Sequence, residues 1–297
     1  VRPYPYPPRL LGLFIFTLGC LLVLLPAHAV GRFDAGLLWR IESGDRPPSY
    51  LFGTMHSDDP RVLQLPEPVQ RAFDSSETIG LELTLDPHTL LTLTRAMLLQ
   101  DGTTLENRVG ERLYRRTVDA LLANGVPEPL VARMKPWAAA ITLMTPSTES
   151  GMVLDQVLYR NAVNDGKTVF GLETAEEQTG LFDSLSQREQ LLLLQDTLQH
   201  LDEIRALLDE TRVVYLAGDL KRLMELNATS LGDSDEQFAE AFMRRLVEDR
   251  NMRMVERMVP RLREGSHFFA VGALHLPGPD GLLELLSDRG FRITRVY

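Results

Sequence analysis

Cysteine is nearly missing from this chain of 297 residues, since Cys20 is the only one. An internal disulfide and a cysteine-built zinc site are thereby excluded. Lysine is scarce too: Lys135, Lys167 and Lys221 stand against 28 arginines, a bias we read as that of a GC-rich genome. The net charge is −10, which argues against a general nucleic-acid binder with its broad basic face. Glycine and proline are scattered, and no low-complexity or collagen-like stretch occurs. Beyond residue 30 no apolar run reaches the roughly 18 residues that suggest a membrane-spanning helix. The HExxH, G-x-S-x-G, G-x-G-x-x-G and Walker patterns are all absent. Their absence removes support for a standard zincin helix, an α/β-hydrolase nucleophile and a nucleotide-phosphate loop. What remains, at 44% hydrophobic and 24% charged residues, is the make-up of an ordinary globular protein of one large domain or two small ones.

The first thirty residues read as an address. Arg2 and Arg9 precede an apolar run, Leu10 to Pro26, and Ala27-His28-Ala29 follows. This is the order of a secretory signal peptide, residues 1–29, with an uncleaved N-terminal anchor as the alternative. A lipoprotein reading of Leu18-Gly19-Cys20 is opposed by Leu21 to Leu25, which stay apolar past the cysteine. An exported, periplasmic protein without disulfides is the expectation.

Short β-type runs follow at Ser49–Gly53, Thr78–Leu83, Thr168–Glu173, His267–Gly272 and Phe291–Tyr297. Trp39–Glu42 is a further candidate, joined as a hairpin to Ser49–Gly53 through Ser43–Pro48. Helical spacing marks His88–Gln100, Arg112–Ala123, Leu130–Thr145 with a bend or restart at Pro136, Met152–Val163, Gln187–Leu216 and Asp235–Arg263. A last helix through Arg289 is expected to be capped by Asp280. Strands alternating with helices predict an α/β fold with a mostly parallel central sheet. We read residues 30–297 as one domain, with helical insertions near 88–150 and 180–262.

The chemistry is carried by what ends the strands. Two of them run into G-x-x-H: Gly53-Thr54-Met55-His56 and Gly272-Ala273-Leu274-His275. The other two contain Gly-Leu-Glu, at Gly80-Leu81-Glu82 and Gly171-Leu172-Glu173. Composition alone yields about 0.4 G-x-x-H matches per chain, so placement carries more weight than the match itself. Ligand sites gather outside the carboxyl ends of parallel strands in α/β sheets. Two imidazoles and one or two carboxylates would meet there if these strands are parallel neighbours. Such a set suits zinc, cobalt, manganese or iron and leaves a position for water. The plainer readings are a hydrogen-bonded histidine at each strand end and glutamates buried against arginines. Gly53-Thr54 and Asp58-Asp59 are either orienting groups for His56 or solvated loop. Glu176-Glu177-Gln178 reads as the acidic start of a helix. Arg250-Asn251 lies in a helix whose other charges look solvated. His88, His200 and His267 carry no such pattern.

At these residues the chain resembles the TraB/PrgY/GumN family, which includes the Tiki metalloproteases. The matching segments are Leu38-Trp39-Arg40-Ile41, Tyr50 to His56, Leu81-Glu82-Leu83, Gly171-Leu172-Glu173-Thr174 with Gln178, Arg250-Asn251 with Met254, and Val271 to Gly278 followed by Gly281-Leu282-Leu283. The likeness is greatest to the exported, bacterial GumN-type branch. It implies a fold related to the erythromycin-esterase (EreA) and haem-binding ChaN groups. It implies a metal-dependent hydrolase in which His56 and His275 are ligands or catalytic residues and Glu82 is a ligand or base; the mechanism we expect has His56, His275 and Glu82 holding the metal and Glu82 or Glu173 as base. Arg250, Asn251 and Gln178 would orient substrate or stabilise an oxyanion. One departure is the run after Glu82, Leu83-Thr84-Leu85-Asp86, where the family often has an aspartate closer to the glutamate. The implied cofactor is manganese, cobalt or zinc, and the implied substrate is a peptide or another small amide or ester. The rival reading is a non-catalytic periplasmic protein that binds a peptide or a haem-like ligand in the same cleft. Neither involves nucleic acid, and membrane contact is expected only through the N-terminal segment.

Overall fold

The computed structural model describes residues 31–145, 152–229, 242 and 244–297. The expected signal segment and Cys20 lie outside the described residues, as do 235–241 and 243 of the expected helix Asp235–Arg263.

Six strands form one sheet: β1 Leu38–Glu42, β2 Ser49–Thr54, β3 Thr78–Leu81, β4 Thr168–Gly171, β5 His267–Gly272 and β6 Arg292–Arg295, in the order β4-β3-β5-β2-β1-β6. The middle strands are buried on both faces, and their sequences show it. Every residue of β5 from His267 to Val271 is buried, as are Leu51 to Thr54 of β2. Such continuous apolar runs are what a parallel strand covered on both sides requires. β1 instead alternates, with Arg40 outward between Trp39 and Ile41.

The mostly parallel sheet expected from the sequence is corrected to a mixed one. β4, β3, β5 and β2 are parallel, whereas β1 pairs antiparallel with both β2 and β6. The reason is local. Ser43–Pro48, with Gly44 at φ +57°, is a hairpin connection, far shorter than the roughly dozen residues a parallel crossover needs. The reversed β1 then leaves its outer edge to the C-terminal strand.

Among the described residues helices occupy the expected segments, and Glu67–Ser75, Leu105–Val109 and Leu220–Thr229 are additional. The run Gln187–Leu216 is two helices, Gln187–Gln199 and Leu201–Leu216, divided at His200. Leu130–Thr145 restarts at Pro136 as expected, giving Glu128–Val131 and Pro136–Met144, because a proline cannot donate into the preceding turn. The final helix, Leu282–Asp288, has Gly281 at its N-cap and no side-chain cap, so Asp280 does not cap it. A π-helical turn, Arg244–Glu248, leads into Asp249–Leu262.

Residues Arg32–Tyr297 form one compact unit. Within it, two buried apolar clusters occur among the described residues. One spans the sheet and the helices on it, with Phe52, Phe73, Phe268 and Phe269 at its centre. The other is wholly helical, joining Leu113, Leu121 and Trp137 of the first insertion to Leu194 and Leu198 of the second. No helix among the described residues is long and apolar enough to cross a membrane.

Candidate active site

The sheet order places four strand ends side by side. Leu81 of β3 lies opposite Gly171 of β4 and Ala270 of β5, and Thr54 of β2 lies opposite Gly272. Across the carboxyl edge the residues therefore run Glu173, Glu82, His275, His56. The chain leaving β3 goes on to β4, and the chain leaving β5 goes on to β6 on the other side of the sheet. Where successive connections part in this way, a crevice opens at the strand ends.

Close approach demands the glycine of the first motif and leaves little room at that of the second. A Cβ on Gly53 would stand 2.8 Å from a Leu276 methyl and 3.1 Å from Ala273 Cα, so this glycine lets the turn of the second motif fold over the first. A Cβ on Gly272 would stand 3.2 Å from Glu82 Oε1, the atom to which the Gly272 N–H donates at 2.6 Å.

His275 sits in a short 3-10 turn, Ala273–His275, and is 5% exposed. The Asn251 amide fixes its tautomer. Asn251 Nδ2 donates to the carbonyl of Asp280 at 2.7 Å, so Oδ1 is the atom that faces His275 Nδ1, also at 2.7 Å. Nδ1 then carries the proton and Nε2 the lone pair. Burial pushes the imidazole pKa down to about 4, with Glu82 pulling it up and Arg250 pushing it further down. The ring is neutral at pH 7. Its Nε2 lies 3.6 Å from Glu82 Oε1.

Glu82 is held from several sides. Arg250 Nη2 donates to Oε2 at 2.6 Å and Gln178 Nε2 at 3.2 Å. Burial would raise its pKa, but Arg250, His275, the Gly272 N–H and His56 outweigh burial and hold it at about 2. Glu173, whose side chain is 0% exposed, anchors the same guanidinium through Arg250 Nε at 2.9 Å and Nη2 at 2.6 Å. Gln178 at 3.1 Å and Arg253 at 3.3 Å complete its partners. The two buried carboxylates keep Arg250 charged, its pKa raised above the ordinary arginine value despite burial. Neither carboxylate could be buried at small cost without the guanidinium between them.

His56 occupies a different setting. Its side chain is 61% exposed, and Nδ1 lies 3.8 Å from Asp155 Oδ2. Asp155 comes from the first turn of helix Leu154–Asn164, and the Thr54 hydroxyl donates to its Oδ1 at 2.9 Å. Burial pushes the Asp155 pKa up, and the charge of Glu82 adds to that, against the pull of His56 and Thr54. Sequence reasoning missed this residue. An aspartate in the first turn of a helix reads as an ordinary complement to the helix dipole, and only the packing of that helix reveals its neighbour. Of the acidic pair Asp58-Asp59, Asp59 caps helix Pro60–Leu63 and binds Arg61 at 2.6 Å, so it does not orient His56. Asp86 is likewise committed as the N-cap of helix Pro87–Ala96, bonded to Thr84, His88 and Thr89. Glu177 makes a capping box with Thr174 and pairs with Arg257. Away from the site, His88 is exposed, His200 lies beside Asp196, and His267 packs against Thr78.

The donor types suit a divalent ion. Glu82 Oε1 and His275 Nε2 both accept, so neither can bond the other, and a cation between them would satisfy both. Asp155 Oδ2 is buried and has no hydrogen-bond partner among the described residues. As they stand, no group of three or more His, Cys, Asp or Glu side chains among the described residues is placed to hold a metal ion. The residues fit the ion in kind, with Glu82 and His275 already facing one another and His56 turned to Asp155.

The TraB/PrgY/gumN family matches residues 37–295. This chain belongs to that family. Its TraB/PrgY/gumN relatives include Metalloprotease TIKI2 of Danio rerio, 30% identical over 83% of this chain and 58% of that protein. Metalloprotease TIKI1 of Danio rerio is 27% identical over 86% of this chain and 62% of that protein. Metalloprotease TIKI1 of Homo sapiens is 25% identical over 86% and 61% respectively. The chain thus spans about three fifths of the length of these relatives. No solved structure matches it, so the expected likeness to the EreA and ChaN folds gains no support. These relatives are named metalloproteases.

Proposed function

We propose that this chain is a metal-dependent peptide hydrolase working at the crevice between β3 and β5. The observation that carries the reading is the convergence of Glu82 Oε1 and His275 Nε2, 3.6 Å apart, at the ends of neighbouring parallel strands. Glu82, His275 and His56 would hold a manganese, cobalt or zinc ion. When bound, such an ion supplies Lewis acidity for a scissile amide carbonyl and for a water molecule.

The chain's own residues have distinct tasks. Glu82, held at about 2, stays ionised at neutral pH, which suits a ligand better than a proton acceptor. Arg250 and Gln178 take its Oε2 and leave Oε1 toward His275. Glu173, one of the two expected bases, has both oxygens bound by arginine, so it serves to fix Arg250. Asn251 spends Oδ1 on His275 and one Nδ2–H on the Asp280 carbonyl, which suits it to fixing His275. The oxyanion role stays open to Arg250 through Nη1, which donates to the Leu246 carbonyl at 3.2 Å and has a second N–H.

The N-terminal basic, apolar and small-residue order supports export to the periplasm. Intact-mass measurement of chain secreted from a bacterial host tests this, and cleavage after Ala29 is expected. The test of activity is the purified chain with added manganese, cobalt or zinc, offered a peptide library beside the His56→Ala and His275→Ala variants. Near-stoichiometric metal and cleavage by the parent chain, both lost in folded variants, are expected. Peptides retained but never consumed would replace this reading with that of a binding protein.

A further inference from the structure

We infer that Asp155 is the positioning residue of His56, and that Thr54 holds it for that task. The inference rests on the proposed metal site and deepens it. Its starting point is the correspondence between the two G-x-x-H corners. At the second, a side chain from helix Asp249–Leu262 accepts the His275 Nδ1–H and leaves Nε2 with the lone pair. At the first, a side chain from helix Leu154–Asn164 faces the same ring nitrogen of His56, at 3.8 Å and outside hydrogen-bond reach. The partner is a carboxylate in one corner and an amide in the other.

Three observations favour a functional role over a structural one. Asp155 Oδ2 is buried and makes no hydrogen bond among the described residues, so this oxygen gives the fold nothing in return for its burial. Its other oxygen is pinned by the Thr54 hydroxyl at 2.9 Å, which aims Oδ2 instead of letting the carboxylate turn away. The gap to His56 Nδ1 is 3.8 Å, and a ring that is 61% exposed is free to turn and close it to a hydrogen bond. A carboxylate accepting from Nδ1 fixes the tautomer and makes Nε2 a stronger donor toward a metal. An exposed histidine needs that support more than His275, whose orientation burial already secures.

The experiment uses the purified chain with ¹⁵N-labelled histidine. In the metal-free protein at about pH 9, where ordinary imidazoles are neutral, His56 is expected in the Nδ1–H tautomer. Asp155→Ala should return it to the mixture an unpartnered imidazole adopts. Manganese affinity, read from the electron paramagnetic resonance of the free ion, should fall by roughly 10- to 100-fold in Asp155→Ala, with Asp155→Asn between the two. The thermal midpoint of metal-free Asp155→Asn should equal or exceed that of the parent, which a purely structural aspartate would not allow. An Nε2–H tautomer in the parent overturns the inference. So does undiminished manganese affinity in Asp155→Ala. Lost affinity with an unmoved tautomer overturns it in favour of direct ligation by Asp155. If the parent binds no manganese, the metal reading fails by itself, and the tautomer shift alone then decides the positioning role.

Discussion

The two G-x-x-H corners share their glycine and histidine as sequence and are unlike as environments. His275 is 5% exposed, neutral, and locked by the amide of Asn251. His56 has a side chain 61% exposed and faces a buried carboxylate. Gly53 makes room for the turn of the second motif, which a Cβ would strike, and Gly272 brings its N–H close to Glu82. What differs is the helix laid over the corner: Asp249–Leu262 brings Asn251 to one and Leu154–Asn164 brings Asp155 to the other. A repeated motif therefore specifies where a ring is placed, while its charge and tautomer are set by whichever side chain the tertiary packing delivers.

The comparison is broken most severely at the second corner. His275→Ala removes a member of the proposed catalytic unit, and turnover should drop by on the order of 10⁴-fold in steady-state peptide cleavage. His56→Ala should abolish metal-dependent turnover too, yet leave the thermal midpoint nearly unmoved because the ring is mostly exposed. Next comes Arg250→Ala, which leaves Glu82 and Glu173 as buried carboxylates without their shared cation. Breaking such a pair costs about 3–5 kcal/mol, measurable as a fall in the denaturant midpoint. A strong protein at reduced midpoint in Arg250→Ala but not in Arg253→Ala would locate the effect at the shared guanidinium.

Acid should expose the same asymmetry in the metal-free protein. The His275 pKa is lowered from 6.5 to about 4, so the unfolded chain takes up the proton first and stability declines as pH falls through that window. The Glu82 pKa is lowered to about 2 from 4.5, so its contribution is present above about 4.5 and is lost as pH falls toward about 2. Denaturant midpoints taken from pH 7 downward should show an early loss that disappears in His275→Gln. The smallest effect expected is that of Asn251→Asp, which keeps an acceptor for His275 Nδ1 but loses the donor to Asp280. We expect about 1–3 kcal/mol of destabilisation from the unmet carbonyl, together with a His275 pKa moved upward toward that of a carboxylate-backed imidazole.

Much of the site was legible because its strands are short, apolar and bounded by turn residues. The four strand ends carrying Glu82, Glu173, His56 and His275 were each placed at the right element. Their adjacency was conditional on parallel pairing, and the sheet supplies it through β4, β3, β5 and β2. The antiparallel side was underread, although the Ser43–Pro48 hairpin was recognised, because the pairing of β6 with β1 joins opposite ends of the chain. Asp280 illustrates the opposite error. Its carboxylate looked like a helix cap, but its carbonyl is the functional atom, and no side-chain pattern reports on a carbonyl. Asp155 was invisible for a similar reason, since its identity as a first-turn acid explains it fully until its neighbours are known.

By itself the sequence determined the acidic cysteine-poor composition, the strand runs, the glycines that permit tight turns and the histidines and glutamates that follow them. These are consequences of local sterics and apolar periodicity, which act over a few residues. Only the tertiary structure decided that Arg250 would sit between Glu82 and Glu173, that Asn251 would set the tautomer of His275, and that Asp155 would face His56. Burial and the nearest charges govern those properties, and the groups that supply them arrive from 24 to 168 positions away along the chain.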